Sequence, residues 1–197
     1  MALALGGLSG QSGINCLRHE NANTTQPGDG STSRKSAAYP PAGSITVNVN
    51  ALSGQVERSR TGAQYSISNI LMVFDTSKVP DLSTVTRVQL EVYVAGLKND
   101  DGRQINVEWY NPGTIDATDY SDTAAATAGT FTFAAFPLGG RSTLELSNPT
   151  SASKIGTTGL RFHMSGVQPV GKNSLVLYLF GNMPAIPAPR MIVHFRQ

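Results

Sequence analysis

The sequence predicts an all-β protein: a two-sheet antiparallel sandwich of jelly-roll type, preceded by an extended N-terminal arm. Three observations carry this. Short runs alternate apolar and polar residues with a two-residue period. Clusters of Gly, Pro, Asn and Asp punctuate the runs, and no segment carries a sustained helical stripe.

The arm comes first. Residues 1–44 are poor in large apolar side chains, and residues 21–33 (NANTTQPGDGSTS) show no period. Such a segment buries too little surface to offset its ordering entropy, so it is expected to be disordered or to order on a partner. From residue 45 to 197 the texture is that of one sandwich domain. Ile45, Val47 and Val49 alternate with Thr46, Asn48 and Asn50. Strand-like runs follow at 65–68, 70–74, 85–94, 105–110, 130–133, 143–146, 159–164, 175–180 and 191–195. Between them lie turn signals such as Asn99-Asp-Asp-Gly102, Asn111-Pro-Gly113 and Gly139-Gly140. One helical turn is expected over 151–155. Eight to ten short strands with this punctuation argue for two packed sheets.

Composition excludes several classes. Charged residues are 14% of the chain, against about 25% in an average soluble domain. That suits turn-rich β-structure, and also surfaces covered by neighbours, where charge would have to be desolvated. The net charge of +2, carried by scattered Lys and Arg, gives no nucleic-acid footprint. No apolar run reaches the roughly 18 residues of a membrane span. Met1-Ala-Leu-Ala-Leu-Gly-Gly has no basic residue before its short apolar run, so no secretory leader is expected. The sequon at Asn23 would matter only after export. A single cysteine, Cys16, cannot close an internal disulfide. As a nucleophile it has only His19 nearby, and an inert side chain is the expectation.

Each candidate site has a structural reading beside it. Asp75-Thr76-Ser77 invites a catalytic reading, but a triad needs a placed histidine. The residue types suit an Asx- or ST-type turn closing a strand, with Val79-Pro80 extending the corner. His163 lies opposite Phe162 and Met164, and His194 opposite Val193 and Phe195, so both are expected to face solvent or an interface. A shared metal would require these two strands to meet. Asp116, Asp119 and Asp122 recur every third residue; such a loop can offer oxygen ligands to Ca²⁺, although Asp119-Tyr120 better suits a loop anchor. Asp100, Asp101 and Arg103 around Gly102 read as a hairpin tip. Thirteen acidic residues offer no basis for choosing a glycosidase pair. Trp109 and Tyr110 could stack on a sugar, but alternation sends one inward, and Trp109 is expected in a core or interface.

Five segments in order resemble a known family: SGQVERS (53–59), ILMVFDTSKVPDLSTVTRVQLEVYV (70–94), TIDATDYS (114–121), IGTTGLRFHM (155–164) and PRMIVHF (189–195). Together they resemble the DNRLRE-type jelly-roll domains of tailed-phage virion proteins and bacterial surface proteins, over residues 45–197. The resemblance implies a jelly roll that attaches and displays. With the low charge and the arm, it leads us to expect a non-enzymatic virion component: a capsid decoration, head fibre or tail-associated protein, assembled in the host cytoplasm. Its expected partners are capsid or tail proteins and further copies of itself in a cyclic oligomer, with a host-surface glycan as a further possible contact. No nucleic acid, membrane, cofactor, metal or catalytic residue is expected. The alternative is a carbohydrate-binding module of a bacterial surface or secreted protein.

Overall fold

A computed structural model describes residues 30–49, 52–154, 156–179 and 188–196, and the backbone of 15–20. The described residues form an all-β, antiparallel two-sheet sandwich. Its strands are β1 (Asn15–Glu20), β2 (Gly30–Ser36), β3 (Thr46–Val49), β4 (Ser53–Thr61), β5 (Gln64–Asp75), β6 (Thr84–Asn99), β7 (Gln104–Trp109), β8 (Ala126–Thr132), β9 (Arg141–Leu146), β10 (Thr157–Met164), β11 (Asn173–Tyr178) and β12 (Arg190–Arg196). Short 3-10 turns occupy Thr118–Tyr120, Phe133–Ala135 and Pro149–Ser151.

One sheet holds β1, β12, β6 and β9; the other runs β11-β4-β5-β10-β7-β8, with β2 on β5 and β3 on β2. The 16-residue β6 joins them. Its first part pairs with β12 and β9, and Val94 to Asn99 pair with β11. The sequence itself marks a bulge in the first part. Val85 and Val88 cannot share a face in a regular strand, yet both are buried. The register slips beside them, where Phe195 pairs with Val85 but His194 with Arg87, leaving Thr86 as the extra residue. A second slip beyond Val94 turns β6 into the other sheet.

The core lies between the sheets. Val88, Leu90 and Val92 of β6, Leu144 of β9 and Met191 of β12 join a cluster with Ile70, Met72 and Phe74 of β5 and Leu160 and Phe162 of β10. Strand β5 is buried on both faces. On its outer face Leu71 packs with Tyr110 and Ile115 under the loop that follows β7.

Several expectations need correction. The runs at 65–68 and 70–74 form one strand, because Asn69 continues the ladder and donates from Nδ2 to Tyr120 O. The sheet does not begin at residue 45. Strand β2, inside the expected arm, pairs with 65–71 of β5 and with β3, and β1 pairs with β12. Serine, threonine and arginine rather than large apolar residues build β2, which is why its sequence carries no period. Residues 1–14 and 21–29 of that arm, with the sequon, lie outside the described residues. The helical turn begins at Pro149 and ends by Ala152, which is extended; Ile155 lies outside the described residues. Asn99–Gly102 is not a hairpin tip, since β6 and β7 do not pair and the segment passes between non-neighbouring strands.

Candidate functional site

A charged concavity opens on the outer face of the larger sheet. Alternation puts Leu160 and Phe162 of β10 into the core, so Arg161 and His163 point outward. Pairing of β10 with β7 sets Arg161 opposite Glu108 and His163 opposite Asn106. The Thr118–Tyr120 turn folds back over this face. The result is a cleft of about 350 Å³ lined by Arg58, Asn69, Glu108, Tyr120, Arg161 and His163, among others.

Arg161 is 7% exposed, so its charge must be compensated. Nε and Nη2 donate to Glu108 Oε2 at 2.9 and 2.7 Å, Nη1 donates to Asp119 O at 3.1 Å, and the guanidinium lies 4.4 Å from the Tyr110 ring centroid. The other oxygen of Glu108 is 3.2 Å from His163 Nε2. Burial pushes the His163 imidazole below its ordinary value; Glu108 pulls it up, and Arg161 and Arg58 push it down further. The ring is therefore neutral at pH 7, with its proton on Nε2, because a carboxylate only accepts.

A second arginine lines the cleft, and a third stands beside its Tyr120 wall. Arg58 donates from Nε to Met164 O and from Nη1 to the Tyr39 hydroxyl. Arg34 of β2 sits 5.0 Å from the Tyr120 ring centroid, and its buried Nε has no hydrogen-bond partner among the described residues. Burial raises the Tyr120 hydroxyl, while Arg34 and Arg58 pull it back. Chemically this is a cationic cleft with one carboxylate already engaged. Sequence reasoning singled out His163 but neither Arg161 nor Glu108, since only the β10–β7 register brings residues 53 apart together.

The other candidates resolve into structure. Asp75 Oδ1 accepts from Ser77 N at 2.9 Å, closing an Asx turn. Thr76 N donates to Gly156 O, and the Thr76 and Thr158 hydroxyls lie 2.8 Å apart in a buried pair. His163 and His194 sit on β10 and β12, in different sheets, so no shared site forms between them. His194 Nε2 lies 3.4 Å from Gln89 Oε1. Of Cys16 and His19 only the backbone, in β1, lies within the described residues.

Asp119 is buried, taking the Tyr110 hydroxyl at 2.5 Å and Asp116 N at 2.7 Å. Burial and this carboxylate push the Tyr110 hydroxyl up. Asp116 caps Thr118, whose hydroxyl and N–H hold its carboxyl below the usual range. Among the described residues no group of three or more His, Cys, Asp or Glu is arranged to hold a metal.

Asp101 ties three segments together. Its Oδ2 accepts from Arg103 Nε and Nη2, Asn173 Nδ2 and Val170 N. Burial pushes this carboxyl up, but those donors, Asn173 first, hold it below its ordinary value. Trp109 points into the core at 2% exposure and donates from Nε1 to Ser147 O at 2.8 Å. A second concavity of about 360 Å³ lies beside it, near Ser153 and Thr157. Gly159 lets the chain after Trp109 pass close: a Cβ there would lie 2.3 Å from Tyr110 O. No described helix is long and apolar enough to cross a membrane.

Compared with known proteins, the chain matches no family model and no curated protein.

Proposed function

We propose that the chain is a non-enzymatic structural component of a bacteriophage virion, a capsid decoration, head fibre or tail-associated protein. In this reading its N-terminal region attaches to capsid or tail proteins and the sandwich is displayed, with self-association into a cyclic oligomer. The observation that carries it is how the polar groups are used. Asp75, Thr76, Asp101, Asp119 and Glu108 are all engaged in turns, strand-end locks and one ion pair. That pattern suits a rigid display module, and the resemblance of residues 45–197 to virion jelly rolls supplies the setting.

The test is removal of residues 2–14, which leaves β1 and β2 in place. Particle incorporation measured by quantitative mass spectrometry should fall sharply. Unchanged incorporation would contradict attachment through that segment.

The alternative, a carbohydrate-binding module, keeps one supporting observation. With Trp109 buried, one half-buried aromatic pair is Tyr93 and Tyr178, whose ring centroids lie 5.8 Å apart. Glycan-array binding that disappears in Tyr178→Ala would favour it.

A further inference from the structure

We propose that the cleft lined by Arg58 and Arg161 is a binding site for a phosphate group carried on a small ligand. Three observations converge.

The first is charge. Arg58 of β4 and Arg161 of β10 line the cleft, Arg34 of β2 stands 5.0 Å from the ring centroid of Tyr120 at its wall, and the one carboxylate lining it is Glu108. The nearby Asp119 carboxylate is turned away onto the Tyr110 hydroxyl and Asp116 N. With His163 neutral, three cations against one anion leave two positive charges. A phosphomonoester carries about −1.5 to −2 at pH 7 and balances them; a single carboxylate would leave one charge uncompensated.

The second is donor capacity. Arg58 donates from Nε and Nη1, and its Nη2 makes no hydrogen bond among the described residues. Arg161 has two N–H groups beyond its bonds to Glu108 and Asp119, one on each Nη. Donors arriving from two strands, with Ser121 and Asn69 beside them, suit a group with three terminal oxygens. A planar carboxylate is satisfied by a single guanidinium fork.

The third is size. At about 350 Å³ the cleft sits at the small end of ligand pockets, which run from roughly 300 to 1,000 Å³. Ser121 and Asn69 at its wall offer polar contacts to the group bearing the phosphate. Phosphorylated polyols, sugars and lipid headgroups share this chemistry.

The test uses the isotope-labelled full chain, titrated at constant ionic strength with inorganic phosphate, glycerol 3-phosphate and methyl glucuronide, while the Arg Nε–H and Tyr120 ring resonances are followed. Saturable, shared shifts of Arg58 and Arg161 are expected with both phosphates. Tighter binding of glycerol 3-phosphate would identify an ester as the occupant; equal binding would assign the site to the phosphate group alone, and either supports the proposal. Arg58→Gln should weaken binding at least about tenfold, since a charged hydrogen bond contributes roughly 1.5–3 kcal/mol. Arg58→Lys, which keeps the charge but loses the planar fork, is the second variant should the first not fold. Three results would overturn the proposal: no saturable shift, methyl glucuronide binding as tightly as the phosphates, or undiminished affinity in a folded variant. Because binding is measured on the isolated chain, the outcome is separate from that of particle incorporation.

Discussion

Arg161 on β10 grips a single oxygen of Glu108 on the neighbouring β7, with Nε and Nη2 donating at 2.9 and 2.7 Å. The pair faces outward from the core yet is largely covered, with side chains 8% and 21% exposed. Removing one partner strands a buried charge. Glu108→Gln should destabilise by about 2–3 kcal/mol, below the roughly 3–5 kcal/mol of a fully buried pair because the cleft admits water. Glu108→Leu combined with Arg161→Met should lose less than Arg161→Met alone, as measured by urea unfolding. Equal losses would show that the two residues are not coupled.

The strand-end corner makes a different demand. Thr76→Val removes the buried Thr76–Thr158 hydroxyl contact at 2.8 Å, leaving Thr158 its bond from Ser153 N, and should cost about 1–2 kcal/mol. The exposed neighbour Ser77 keeps its backbone bond to Asp75 when changed to alanine, so Ser77→Ala should stay within about 0.5 kcal/mol. A larger effect of Ser77→Ala than of Thr76→Val would contradict the structural reading of this corner.

Trp109 tests the aromatic-platform reading. It is buried and bonded to Ser147 O, so Trp109→Ala should cost about 3–5 kcal/mol in thermal or chemical unfolding. A fully stable variant with selectively lost glycan binding would reverse its assignment to the core.

His163 should leave a signature in the pH dependence of stability. Its folded pKa lies below the ordinary 6.5, so the unfolded chain takes up a proton first as pH falls. Its full contribution is present above pH 6.5 and is lost as pH drops toward and through the lower folded value. His163→Gln should flatten the melting temperature profile between pH 7.5 and 5; an unchanged slope would remove His163 as its source.

The N-terminal strands predict a break in truncation tolerance. Deleting residues 2–14 removes none of the twelve described strands, whereas deletion through Ser36 removes β1 and β2 and exposes the edge of β5 along 65–71. The longer deletion should aggregate or melt markedly lower in light-scattering and calorimetric scans. Equal behaviour of both truncations would show β2 to be dispensable.

The sequence made some of this legible and hid the rest for identifiable reasons. Alternation in β6, β7 and β10 was readable because each buries one face against the core, and the phase break between Val85 and Val88 was the trace of a bulge. Strand β4 (SGQVERSRT) was read only through resemblance, since Val56 is its one large apolar residue and its other buried positions are Gly54, Glu57 and Ser59. Strand β2 gave no signal because hydrogen bonding to β5, not an apolar face, holds it. In the cleft, the outward direction of His163 followed from its strand period. Its meeting with Arg161 and Glu108 depends on the register between β10 and β7, which no local pattern encodes.

The central claim is tested most directly by quantitative mass spectrometry of phage particles purified from a host that carries this gene. A virion component should co-purify with the major capsid protein at a fixed ratio through successive density gradients. Absence from the particles, with the chain recovered free or on the bacterial surface, would contradict the account.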